Sequence, residues 1–113
     1  MALHHAASGE LINIRPIPGK ISSALSRALY KSSHLEVFRM VMEAGKVIPE
    51  HQVPGDLTLQ CLDGSVEISV NGVTQLMRPG ELICVAGGDA HALTAVVDCS
   101  VLVTLLKQAE KLP

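Results

Sequence analysis

A chain of 113 residues, of which 48% are hydrophobic and 18% charged, is long enough to bury one core and too short for a second regulatory domain. A net charge of −2 and an aromatic content of 2% provide neither a positive field nor a stacking surface, so we predict no nucleic-acid partner. The sequence has no secretory signal and no apolar run that could span a membrane, so we expect a cytoplasmic protein without a membrane partner.

The chain divides into an N-terminal arm, residues 1–20, and one domain, residues 21–113. Within the arm, residues 10–20 have the sequence ELINIRPIPGK, a short strand candidate that two prolines and a glycine terminate. Residues 21–31 carry apolar side chains at positions i, i+4 and i+8, namely Ile21, Leu25 and Leu29. Because serines that can cap a helix precede them, this spacing predicts one short amphipathic N-terminal helix.

The rest of the chain has β patterns. Apolar and other residues alternate in EVFRMVME (36–43) and DLTLQCL (56–62), and VEISV and VTQLM flank Asn71-Gly72, a strong signal for a two-residue hairpin. Further short apolar runs, ELICVA, HALTAVV and SVLVTLL, are separated by turn residues. We predict seven or eight short strands in an all-β sandwich or closed barrel.

The cysteines Cys61, Cys84 and Cys99 are odd in number and lack the CxxC spacing of many zinc and redox sites. Each lies in an apolar, strand-like context. We therefore predict reduced thiols in the core rather than a disulfide or a zinc site.

A family resemblance depends on two sets of residues, Gly45, His51 and Gly64 in the first, and Gly80, Gly88 and His91 in the second. Five residues separate Gly45 from His51, and fifteen separate Gly64 from Gly80. This spacing resembles the two motifs of the cupin superfamily over roughly residues 36–106. The resemblance implies a small cupin-type β-barrel, similar to a jelly roll.

Four positions depart from the cupin pattern. Val53 occupies the second-histidine slot, Leu57 the glutamate slot, Ala86 the proline slot and Ala95 the asparagine slot. Two of the four expected metal ligands are therefore absent. The remaining two are His51 and His91, fewer than a zinc or non-haem iron site requires, so we expect no cofactor and at most a weakly bound divalent metal at a vestigial site. A third ligand from His34, from His4 and His5, or from a bound substrate stays open.

The resemblance implies that the metal slots point into the barrel, where the missing ligands leave apolar side chains. We predict a ligand pocket lined by His51, Val53, Leu57, Leu59, His91, Met40 and Met42. Such a pocket suits a small organic molecule with one polar or anionic group. The predicted function is binding of that small-molecule ligand, and no catalytic residues are assigned.

Three alternatives remain. One is a metal-dependent cupin enzyme, a dioxygenase, isomerase or decarboxylase, that uses His51, His91 and an unseen third ligand. The second is a structural module that presents its outer sheet face to a partner, and the third is that both histidines are hydrogen-bonded remnants. In each case we expect a homodimer, because small cupins resembling this chain commonly pair through edges such as residues 1–20.

Overall fold

The structure is a computed structural model that describes residues 4–19 and 25–107, and nine β-strands lie within them. The strands are β1 (Arg27–Lys31), β2 (Leu35–Met42), β3 (Val47–His51), β4 (Leu57–Asp63), β5 (Val66–Val70), β6 (Val73–Met77), β7 (Leu82–Val85), β8 (His91–Ala95) and β9 (Cys99–Leu106). They form a larger sheet in the order β1-β2-β9-β4-β7 and a smaller sheet in the order β3-β8-β5-β6. Every pairing is antiparallel, which confirms the all-β prediction, although the described residues contain nine strands and the sequence pattern predicts seven or eight.

The core lies between the two sheets and contains side chains from both. The larger sheet contributes Leu59 and Val101, and the smaller sheet contributes Ile68 and Leu93, each at most 2% exposed. Alternate residues of a strand point to opposite faces, and in β4 and β8 every second side chain is buried. The alternation in the sequence therefore sets which face of each strand packs inward.

The helix predicted over residues 21–31 is wrong where the structure describes it. Arg27–Lys31 is strand β1, paired antiparallel with β2, while residues 20–24 lie outside the described residues. Spacings of four and eight residues are even numbers, so they place side chains on one face of a strand as well as on one face of a helix. Pairing with β2 of the larger sheet makes this segment a strand rather than a helix. Leu29, which is 4% exposed, lies at a bulge in β1.

The strand predicted within the arm is also wrong over residues 10–19, which contain no strand. Pro16 and Pro18 lack the N–H group that a sheet partner needs. The arm is nevertheless attached to its own domain, because the Ala6 N–H donates to the Leu29 carbonyl at 2.8 Å. The homodimer stays a prediction.

The Asn71-Gly72 hairpin has the expected geometry. Asn71 has a φ of 49° and Gly72 a φ of 83°, the two positive values that a type I′ turn requires. The turn joins β5 to β6 in register from Val70 and Val73 outward. Among the described residues, no helix is long and apolar enough to cross a membrane.

The cysteine prediction holds for two of the three residues. Cys61 and Cys99 are free and buried, but Cys84 is exposed. In β7 the inward positions belong to Ile83 and Val85, whose register partners Leu59 and Leu57 are core residues, so the intervening Cys84 faces outward. Burial raises the pKa of the Cys99 thiol from 9.0 to about 11 and raises that of Cys61 as well.

This shift predicts a loss of stability in alkali. Above about pH 9 the Cys99 thiol ionises in the unfolded chain before it ionises in the folded one. Its contribution to the free energy of unfolding is therefore complete below about pH 9 and disappears as the pH approaches about 11. The loss should reach about 2 kcal/mol. Urea denaturation at about pH 8 and about pH 10.5 measures it, and the same pair of measurements on Cys99→Ala removes the contribution of other groups. An identical pH response in Cys99→Ala contradicts the prediction.

Candidate functional site

The two histidines of the cupin-like motifs lie side by side at one end of the smaller sheet. His51 is the last residue of β3 and His91 the first residue of β8, and the two are register partners. His91 has the inward orientation of Leu93 and Ala95, because all three alternate with less buried residues along β8. His51 is directly opposite on the neighbouring strand and therefore belongs to the same face of the sheet.

The two imidazole rings are in contact but differ in exposure. Their centroids are 4.2 Å apart and their planes are inclined by 58°. His91 is only 2% exposed, whereas His51 is exposed. The pair thus extends from the buried interior to the solvent, at the end of the barrel where β3 stops and β8 begins.

Main-chain carbonyls orient both rings in the same way. Nδ1 of His51 lies 3.0 Å from the carbonyl oxygen of Pro49, and Nδ1 of His91 lies 3.0 Å from that of Asp89. A carbonyl only accepts hydrogen bonds, so we assign the proton of each neutral ring to Nδ1. Each Nε2 then carries the lone pair, the form in which a histidine accepts a hydrogen bond or binds a metal.

The apolar residues predicted to line the pocket either belong to the hydrophobic core or pack against it. Leu57, Leu59 and Met42 are buried members of the core, at 6%, 2% and 1% exposure. Met40 and Val53 are partly buried and pack against that core. The deep interior is therefore filled with side chains.

No protein-family model matches the sequence, and no curated protein matches it. Solved structures do match. A conserved protein of unknown function from Streptococcus pyogenes has a TM-score of 0.75 and 24% identity over 96% of this chain and 99% of that one. A cupin superfamily protein from Desulfitobacterium hafniense has a TM-score of 0.74 and 20% identity over 91% of this chain and 100% of that one.

This chain has the cupin fold. A third similar structure, KdgF from Halomonas sp., has a TM-score of 0.71 and 15% identity over 88% of this chain and 97% of that one. The resemblance seen in the two motifs is therefore confirmed for the cupin fold. A fold shared at these identities hosts many activities, so function has to be argued from the site itself.

In this cupin-fold chain, the histidine pair has no third metal ligand among the described residues. Among residues 4–19 and 25–107, no three His, Cys, Asp or Glu side chains come together as a possible metal site. His34 Nδ1 contacts the Ser33 hydroxyl at 3.0 Å, and His4 Nε2 contacts the Glu10 carboxylate at 2.8 Å. Neither His34 nor His4 adds a third ligand to the His51–His91 pair, and His5 is exposed in the arm. Two imidazoles leave a zinc or iron ion at least one protein ligand short.

Proposed function

We propose that this cupin-fold protein binds a small organic ligand with one polar or anionic group at the His51–His91 pair, without a tightly bound metal. The observation that carries the proposal is the pair itself: two contacting rings, each with Nδ1 engaged by a main-chain carbonyl. This arrangement leaves Nε2 of each ring as the free hydrogen-bonding atom.

The free Nε2 atoms suit two kinds of ligand group. In a neutral ring, Nε2 accepts a hydrogen bond from a hydroxyl or an amine, and in a protonated ring it donates one to a carboxylate. Rings whose centroids are 4.2 Å apart are close enough for one ligand group to interact with both. One polar group held by His51 and His91 would fix the orientation of the ligand.

The residues in the two empty metal slots favour an organic ligand over an ion. Val53 and Leu57 present hydrocarbon where a metal site needs a nitrogen or a carboxylate oxygen. Val53 is only partly buried and packs against the core, so apolar surface lies close to the histidine pair. A ligand with a short apolar body gains from covering this surface, whereas a hydrated cation does not.

The test is a binding screen with matched histidine variants. We expect at least one small hydroxy acid or carboxylic acid from a panel to raise the melting temperature saturably, and His51→Ala to weaken its binding by roughly 10–100-fold, the effect of losing one hydrogen bond to a charged group. His51 is the better variant because it is exposed, whereas truncation of buried His91 also opens the core.

His34→Ala is the control, because His34 is also an exposed histidine and lies in the turn before β2. It should leave ligand affinity unchanged. A ligand that binds His51→Ala as tightly as the wild type does not use the pair, and that result would contradict the proposal. Elemental analysis that finds one tightly held metal ion per chain would overturn it in favour of a metal-dependent enzyme.

A further inference from the structure

A buried arginine lies on the opposite side of the larger sheet from the core. Arg39 lies in β2 between Phe38 and Met40, which pack against the core. Because neighbouring side chains of a strand point to opposite faces, the Arg39 side chain projects from the outer face of the sheet. It is nevertheless only 7% exposed. No other Lys, Arg, Asp or Glu within residues 4–19 and 25–107 is buried. Arginine is rarely buried unless its charge is paired, so this position needs a physical explanation.

The guanidinium of Arg39 lacks partners along one whole edge. Nε and Nη2 are both buried, and neither has a hydrogen-bond partner among the described residues. The N–H groups of these two nitrogens point in the same direction, and their spacing matches the two oxygens of a carboxylate. Leaving such charged donors unpaired in a protein interior is costly.

The chain places a second positive charge beside Arg39 instead of a negative one. Arg27 of β1 is its register partner across the strands, and like charges in this relation repel each other. Glu36 of β2 lies on the other face of the strand and pairs with Lys31 at 3.5 Å. Burial, followed by the charge of Arg27, lowers the pKa of Arg39. A bound anion would relieve both the repulsion and the missing hydrogen bonds.

A cavity of about 270 Å³ lies against this guanidinium, between the arm and the sheet. Besides Arg39 it is lined by Asn13, Ile17, Leu25, Ser26, Arg27 and Leu29. None of the described residues that line it is a carboxylate, and its volume is slightly below the range of about 300–1,000 Å³ that is usual for drug-sized ligands. We call this space the arginine cavity.

We propose that the arginine cavity binds a small organic carboxylate, whose two oxygens are held by Nε and Nη2 of Arg39. Arg27 adds a second positive charge, and the side chains of Ile17, Leu25 and Leu29 cover a short carbon chain. Asn13 is a further donor, because its Oδ1 already accepts the Arg15 N–H at 3.0 Å and its amide nitrogen remains available. A cavity with both apolar and cationic walls favours a short-chain carboxylate over inorganic phosphate.

This site is separate from the histidine pair. The histidines lie on the inner face of the smaller sheet, whereas Arg39 lies on the outer face of the larger sheet. The arginine cavity also depends on the arm, which the histidine pair does not contact through any of its described hydrogen bonds. Either proposal can therefore fail without the other.

The probe is potassium butyrate, compared with potassium chloride at equal ionic strength and with inorganic phosphate. We expect butyrate to raise the melting temperature saturably beyond the chloride effect, and isothermal titration calorimetry to show binding to the wild type that weakens at least about tenfold in Arg39→Met. Arg39→Lys should lose the same response, because one ammonium cannot replace the paired N–H groups of the guanidinium.

One control separates this site from general charge effects. Arg78→Gln removes an exposed arginine in the turn after β6 and should keep the butyrate response. In the absence of butyrate, Arg39→Met should melt no lower than the wild type, because it removes an unpaired buried charge and keeps most of the side-chain volume.

Three results would overturn the proposal. The first is a butyrate response no larger than that of chloride, and the second is phosphate binding as tight as butyrate binding, which removes the preference for a carboxylate. The third is a large drop in the melting temperature of Arg39→Met without ligand, which shows that the guanidinium already has a partner within the chain.

Discussion

The double substitution Val53→His with Leu57→Glu is expected to make this protein responsive to metal ions. If these positions are the empty ligand slots, the variant presents three histidines and one carboxylate to a single ion. Without metal, it should lose about 1–3 kcal/mol for each buried polar group that lacks a partner, and Leu57 is 6% exposed in the wild type. Manganese, nickel or zinc at about 1,000 times its dissociation constant should return about 4 kcal/mol.

Thermal melts of the wild type and the variant, each with and without metal, measure this effect. The control is Val53→His with Thr58→Glu, because Thr58 follows Leu57 in β4 and points to the opposite face. This control variant carries the same added imidazole and carboxylate, and metal should not raise its melting temperature. His51→Ala or His91→Ala in the rebuilt variant should abolish the gain. If the gain persists, the ion is bound elsewhere and the alignment of the cupin motifs is wrong.

Replacing Gly64 by alanine should be among the most destabilising single changes in the chain. Gly64 has a φ of 72°, and a Cβ at this position would overlap the backbone oxygen of Asp98 and lie 2.8 Å from Cβ of Cys99. Asp98 cannot easily move, because its carboxylate accepts the Ala44 N–H at 2.8 Å. The strain of the left-handed conformation and the overlap together should cost about 3 kcal/mol or more.

Gly72→Ala is the matched control. Gly72 has a φ of 83°, but no atom lies within 4 Å of its added Cβ, so this change introduces only the backbone strain, about 1 kcal/mol. Urea denaturation of the two variants isolates the cost of the close approach between the β4–β5 turn and Asp98. Equal losses in the two variants would show that backbone strain alone explains the glycine at the end of the first motif.

Seven of the nine described strands, β2 and β4–β9, could be predicted from alternating side chains or from short apolar runs between turns. Leu57, Leu59 and Cys61 are buried together on β4, and His91, Leu93 and Ala95 on β8, as a period of two requires. Asn71-Gly72 likewise specifies its turn locally, through two positive φ values that few other residue pairs adopt. The spacing of glycines and histidines then indicated the cupin fold.

Prediction from the local sequence pattern failed for two strands, β1 and β3. Leu25 and Leu29 suit a helix and a strand equally, and only the free edge of β2 decides that Arg27–Lys31 is a strand. Pro49 lies inside β3, a strand that the sequence pattern did not predict. Prolines are tolerated on edge strands, and β3 is the edge of the smaller sheet.

The strand periodicity, the turns and the two motif histidines can be recognised in the sequence alone, because these features depend on residues close together in the chain. Only the tertiary structure placed His51 opposite His91, forty residues apart, and buried Arg39 beside Arg27. Burial and pairing of a charged or polar side chain depend on what the rest of the chain folds against it. For this reason the strand pattern around Arg39 did not predict that its side chain is buried.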